Sequence, residues 1–134
     1  MIQITRCTRR SIDWKFTLAE LSLILEKLTH LYETKEDIYL EVLFDMRIMS
    51  KKGERIVKLC CKYSKDESNL IQEGDMIVMN IDIDCLESAT YNMEIYLKTN
   101  NAYPAELFYV KVKRRENVMI CCFLEEEVGA DKQN

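Results

Sequence analysis

Glycine, proline and histidine are scarce in this chain of 134 residues, which contains three glycines, one proline and one histidine. The glycines stand apart at Gly53, Gly74 and Gly129, so no glycine-rich loop can cradle a phosphate. With His30 as the single imidazole, the commonest acid–base and nucleophile–base arrangements lack their usual partner. We therefore expect a non-enzymatic protein without a cofactor or a metal, which acts through a shaped surface.

The charge of the chain indicates which partners suit it. The formal net charge is −4 and the pI is about 5.1. Binding to phosphate backbones depends on lysine and arginine, so direct nucleic-acid binding is not expected and a protein with a basic surface is favoured. The segment Met1 to Arg6 lacks the apolar core of a signal peptide, and no run reaches the roughly 18 apolar residues of a membrane helix. We expect a cytoplasmic location with no membrane contact.

The six cysteines include two adjacent pairs, Cys60-Cys61 and Cys121-Cys122, and no CxxC motif. Neighbouring residues on a strand point to opposite faces, so an adjacent pair does not readily chelate one metal. Small buried thiols in a reducing compartment are the favoured interpretation, and a zinc site or a thiol switch is the alternative.

One helix is clearly marked near the N-terminus. Thr17 and Glu20 match the T-x-x-E capping box, and Phe16 and Leu21 occupy the hydrophobic-staple positions around it. Apolar residues then recur at helical spacing, which predicts one broad stripe that packs on a sheet. The stripe consists of Leu18, Leu21, Ile24, Leu25, Leu28, Leu31 and Tyr32.

Most of the remaining chain alternates apolar and polar residues, as strands do. Short strands are predicted at residues 2–8 and 12–16, followed by hairpins over 38–63, 76–99 and 106–125; in the first hairpin, Glu41 is expected opposite Lys62. The sequence predicts an α+β fold, with one long N-terminal helix packed on a mainly antiparallel, curved sheet of about six strands built from hairpins. We expect a single compact domain over residues 1–125 and a flexible acidic tail over 126–134.

The second predicted hairpin has a strongly polar face. Period two turns Met79, Ile81 and Ile83 inward, and it turns a set of carboxylates, amides and one tyrosine outward. This acidic sheet face comprises Asp82, Asp84, Glu94, Asn80, Asn92 and Tyr96. It could be a solvated surface, a docking face for a basic partner, or a weak D-x-D site for a divalent cation.

The last predicted hairpin is apolar on both faces and therefore needs two covers. Its second apolar row is Leu107, Tyr109, Met119, Cys121 and Phe123. Either other parts of the chain cover this row, or it is an interface with a partner or with a second copy.

These features support three hypotheses from different classes. The first is a small intracellular protein-binding module that uses the acidic sheet face, as an inhibitor or antagonist of the immunity-protein or phage-encoded anti-defence kind. The second is a ligand-binding or divalent-metal-binding enzyme with a pocket between helix and sheet. The third is a structural homodimer built on the last hairpin.

Overall fold

The backbone forms a closed barrel of eight strands with two helices. The computed structural model describes residues 1–8, 10–49, 51, 53–99, 105–112 and 116–124. Within these ranges the elements are β1 (Ile2–Thr8), β2 (Ser11–Phe16), α1 (Leu18–Thr34), β3 (Ile38–Asp45), a 3-10 turn (Met46–Ile48), β4 (Glu54–Tyr63), β5 (Asn69–Glu73), β6 (Met76–Ile81), α2 (Ile83–Thr99), β7 (Ala105–Val112) and β8 (Glu116–Leu124). The predicted acidic tail lies outside the described residues.

Four antiparallel hairpins and four parallel contacts close the barrel in the order β1-β2-β8-β7-β5-β6-β4-β3. The hairpins join chain neighbours, whereas the pairs β1–β3, β2–β8, β4–β6 and β5–β7 are parallel. The predicted fold of one helix on an open, mainly antiparallel sheet of about six strands is therefore wrong. Parallel pairing between distant segments leaves no local sequence signal, which is why closure was not predicted.

The second predicted hairpin is also wrong, because a helix replaces most of it. Strand β6 ends at Ile81, and α2 occupies residues 83–99, where a turn and a return strand were expected. The chain changes from strand to helix at Asp82. Its side chain accepts a hydrogen bond from the backbone amide of Cys85, as the side chain of a helix N-cap does. The acidic sheet face consequently does not exist as a sheet face.

The barrel consists of two similar halves, each with the order strand, strand, helix, strand, strand. Residues 11–34 and 76–99 each form a six-residue strand, one linking residue and a 17-residue helix, without an insertion between them. Their burial classes differ at only four of the 24 aligned positions. An offset of 65 residues therefore relates the two segments, although few of their residues are identical.

The paired cysteines extend this correspondence to β4 and β8. Cys60 pairs with Val78 of β6, and Cys121 pairs with Asp13 of β2. Val78 and Asp13 are themselves 65 residues apart and occupy the same place in their halves. Each adjacent cysteine pair thus lies at the equivalent point of the barrel, with free thiols.

A single core joins the inner strand faces to both helices. The buried stripe of α1 is Leu21, Ile24, Leu28 and Leu31, and that of α2 is Leu86, Ala89, Met93 and Tyr96, at the equivalent positions. The capping box at the start of α1 forms as predicted, with Glu20 N donating to Thr17 Oγ1 over 3.2 Å and Thr17 N donating to Glu20 Oε1 over 2.9 Å. Both helices therefore face the barrel interior with an apolar stripe and solvent with a polar one.

The β3–β4 hairpin forms, but with another register than predicted. Glu41 pairs with Lys58 instead of Lys62. Strand β3 ends at Asp45, whose carboxylate accepts a hydrogen bond from the Arg47 amide over 3.0 Å and so starts the 3-10 turn. Met46 and Ile48 are buried in that turn. Because they continue the alternating apolar pattern of β3, the sequence predicted a longer strand.

Candidate functional site

The outer face of α2 carries the most exposed large apolar side chain among the described residues. Tyr91 is 62% exposed. At 3.6 residues per turn it points directly away from the buried stripe of the helix. Ile95, one turn further on, is 40% exposed. An exposed tyrosine at the centre of a helix face is the type of residue that dominates binding energy at protein interfaces.

Carboxylates surround this tyrosine. Asp84, Glu87 and Glu94 are all exposed, and together with Tyr91 and Ile95 they lie within an arc of about 100° on the helix surface. We call these five residues the α2 outer face. Lys98, in the last turn, is the basic residue on the same arc.

A bond from the neighbouring helix holds one of these carboxylates. The hydroxyl of Tyr32 on α1 donates to Glu87 Oε1 over 3.0 Å. This hydrogen bond and the charge of Glu87 raise the pKa of Tyr32. The hydrogen bond thereby restricts the rotamers of the Glu87 side chain on the helix surface.

The two helices carry the charge bias of the whole protein. Six carboxylates and two lysines lie within α1 and α2, so the helices have a formal charge of −4, equal to the net charge of the full chain. The remaining residues are neutral overall. The net negative charge of the protein therefore resides on its helices.

Of the six residues predicted for the acidic face, Asp84 and Glu94 lie on the α2 outer face, Asp84 in the first turn and Glu94 in the second half of the helix. Asp82 has a structural role instead, because its carboxylate accepts hydrogen bonds from the Cys85 amide over 2.9 Å and from Ser68 Oγ over 3.0 Å. Burial opposes ionisation of Asp82, but these hydrogen bonds outweigh it and lower its pKa.

The other three predicted residues lie elsewhere. Tyr96 is buried in the core with its hydroxyl 3.5 Å from the Cys122 carbonyl oxygen, and burial is the main cause of its raised pKa. Asn80 is on β6, where its side-chain amide donates to Asn69 Oδ1 over 2.8 Å. Asn92 is on the flank of α2 and donates to the Ser88 carbonyl oxygen.

The apolar row predicted on the last hairpin is divided by the structure. Tyr109 is 58% exposed, and Met119 and Cys121 are partly buried on the same outer surface. Leu107 is buried at an irregularity in the β7–β8 register, where its carbonyl oxygen accepts a hydrogen bond from Ser88 Oγ. The side chain of Phe123 lies outside the described residues. Three of the predicted residues therefore remain as a candidate second surface.

Sequence reasoning missed Glu87, Tyr91 and Ile95. Their signal was the helical spacing of Leu86, Ala89, Met93 and Tyr96, which places the intervening positions outward. The alternating pattern of a strand continues into the first turn of α2, through Met79, Ile81, Ile83 and Cys85. It therefore concealed the helical spacing of the residues that follow.

The chemistry available elsewhere is modest. His30 Nε2 lies 3.6 Å from Glu36 Oε2 with both side chains exposed, and it borders a depression of about 300 Å³ between α1 and β3. That depression is also lined by Glu26, Lys27 and Asp37. Within the described part of the chain, no three His, Cys, Asp or Glu side chains are grouped so that they could hold a metal ion.

The chain matches no protein-family model, no curated protein and no solved structure. Neither α1 nor α2, the helices within the described residues, is long and apolar enough to cross a membrane.

Proposed function

We propose that this protein is a non-enzymatic, cytoplasmic protein-binding module that recognises a basic partner through the α2 outer face. One observation carries the proposal: Tyr91 is 62% exposed between Asp84, Glu87 and Glu94 on a helix whose opposite side is firmly packed. The proposed surface replaces the acidic sheet face that the sequence suggested.

The physical roles of these residues differ. Tyr91 offers a large contact area with few rotatable bonds, so ordering it costs little entropy. The carboxylates accelerate encounter with lysine- or arginine-rich surfaces and select the orientation of the partner. Asp84 lies in the first turn of α2, where a negative charge interacts favourably with the helix dipole.

We further propose an inhibitory role, in the manner of immunity proteins or phage-encoded antagonists, which the same surface would suit. A rigid acidic face can occupy a basic groove on a target and exclude the natural substrate of that groove. Such a protein needs affinity and shape, and it needs no reactive group of its own.

Site-specific photocrosslinking tests the proposal. A benzophenone amino acid is placed at position 91 or, as the matched control, at position 109, since Tyr109 is almost equally exposed on β7. Irradiation in the native host is expected to give a crosslinked partner from position 91 only, and mass spectrometry identifies the basic segment that it contacts. Crosslinks from position 109 and none from position 91 would reject the α2 outer face.

A further inference from the structure

One row of residues on the outer surface of the β3–β4 hairpin is apolar where the fold does not require it. This row crosses four strands and consists of Tyr39, Cys60, Val78 and Ile71. The equivalent row in the other half of the barrel consists of Glu106, Cys121, Asp13 and Thr5. Because the same barrel position tolerates charged and polar residues, packing alone does not explain the apolar row.

This row is only partly covered. Cys60 and Val78 are buried beneath their neighbours, whereas Tyr39 is 45% exposed and Ile71 is 40% exposed. The Lys58 ammonium lies 5.6 Å from the centre of the Tyr39 ring. Ile56, on β4, is 57% exposed.

A shallow depression lies beside these side chains. Its volume is about 390 Å³, and Tyr39, Ile56, Glu41, Lys58 and Asp75 contribute to its lining. Carboxylates and an ammonium group are therefore interspersed with exposed apolar atoms. A partner with a charge of one sign would meet repulsion here, unlike on the α2 outer face.

Two cross-strand pairs on the outer face of the hairpin are complementary, whereas Asp45, which binds Arg47, lies opposite Glu54. Glu41 lies opposite Lys58, and Leu43 lies opposite Ile56. Next to the start of β3, Asp37 Oδ2 lies 3.7 Å from Lys62 Nζ. Two rows of the outer face therefore place a carboxylate opposite an ammonium group, and one row places two apolar side chains opposite each other.

From this pattern we infer that the outer face of β3–β4 binds a second copy of the chain. A two-fold axis that runs parallel to the strands, between β3 and β4, places β4 of one copy over β3 of the other at the same level. Glu41 of each protomer then faces Lys58 of the second protomer, and Leu43 faces Ile56. An isologous interface needs this kind of self-complementarity.

The inferred interface differs from the proposed partner site and from the last hairpin. It includes no residue of the α2 outer face, so a dimer would present two such faces. The two conclusions are independent, because loss of self-association does not remove the carboxylates or Tyr91 from α2.

Charge-swapped variants test the interface by sedimentation equilibrium. We expect the wild-type chain to dimerise, and Ile56→Asp to weaken dimerisation at least about tenfold. Glu41→Lys alone and Lys58→Glu alone each bring like charges together across the axis, so each homodimer is weakened as well. Mixing the two variants restores opposite charges in both contacts, and a heterodimer is expected.

Leu23→Asp is the matched control, because it adds the same charge at an exposed apolar position on α1, where Leu23 is 45% exposed. This variant should dimerise like the wild type. Circular dichroism verifies that every variant is folded. A wild-type chain that remains monomeric at roughly 1 mM would overturn the inference. A dimer indifferent to Ile56→Asp, or folded charge variants that form no heterodimer on mixing, would do so too.

Discussion

Replacing Asp82 by alanine tests whether the segment after β6 is a helix that depends on its N-cap. In the structure this carboxylate accepts hydrogen bonds from the Cys85 amide over 2.9 Å and from Ser68 Oγ over 3.0 Å. Ser68 is 4% exposed, and its oxygen in turn accepts a hydrogen bond from the Asp82 amide. The substitution therefore removes a helix cap and the acceptor of a buried hydroxyl.

The expected cost is the sum of these two losses. Loss of an N-cap side chain costs about 1 kcal/mol, and a buried hydroxyl without its acceptor costs about 1–2 kcal/mol more. We expect Asp82→Ala to lower the free energy of unfolding by about 2–3 kcal/mol. For a chain of this size that corresponds to a decrease in Tm of roughly 8–12 °C. Asp82→Asn retains a side-chain oxygen and should cost about 1 kcal/mol or less.

Urea unfolding followed by circular dichroism measures the change, with Asp84→Ala as the control. Asp84 is exposed two residues further on, so its loss should cost only a few tenths of a kcal/mol. Equal, small losses of stability in the two alanine variants would refute the capping role, because two aspartates on an exposed strand would each contribute little to stability.

The pH dependence of the Asp82 effect follows from its lowered pKa. A group whose pKa is lower in the folded state stabilises the fold fully above its unfolded value, which is about 3.9 for aspartate, and less as pH falls through the folded value. The charge-dependent part of the difference between wild type and Asp82→Ala should therefore be constant near neutral pH and shrink below about pH 4.

Four further substitutions probe the packing and the caps of the fold. Thr17→Ala breaks the capping box of α1 and should cost about 1–2 kcal/mol in urea unfolding; no loss would contradict the observed bonds. Leu28→Ala and Met93→Ala remove buried side chains at equivalent positions of α1 and α2, so both should cost about 2–5 kcal/mol; a cost confined to one helix would argue against a shared core. Lys35→Met removes an ammonium that lies 4.9 Å from the ring centres of two tyrosines, and the expected loss is about 1 kcal/mol in thermal unfolding.

The parts of the fold that sequence reasoning predicted are those with local signals. The capping box at Thr17 and the stripe after it mark α1 without reference to the rest of the chain. The last hairpin was predicted for the same reason, since Val110 pairs with Val118 around a short connection. Each depends on residues that are close in sequence.

The rest of the fold depends on contacts that a local pattern does not contain. In α2, position N3 is Cys85 and not the glutamate of a capping box, so its start resembled a continuing strand. Barrel closure depends on β1 pairing with β3 and β2 with β8, across long separations. The negative charge of the candidate site was predicted from Asp84 and Glu94. The exposure of Tyr91 could not be predicted in the same way, because it depends on this segment being a helix.

The salt dependence of partner binding tests the central claim most directly. The measurement compares the affinity of the crosslinked partner for wild type, for Asp84→Asn with Glu94→Gln, and for a control with the same charge change, Asp66→Asn with Glu106→Gln, at exposed positions outside the helices. We predict that the α2 variant binds about tenfold more weakly at low salt, with a flatter salt dependence, and that the control matches the wild type. Equal affinities and equal salt dependences for all three proteins would contradict recognition through the α2 outer face.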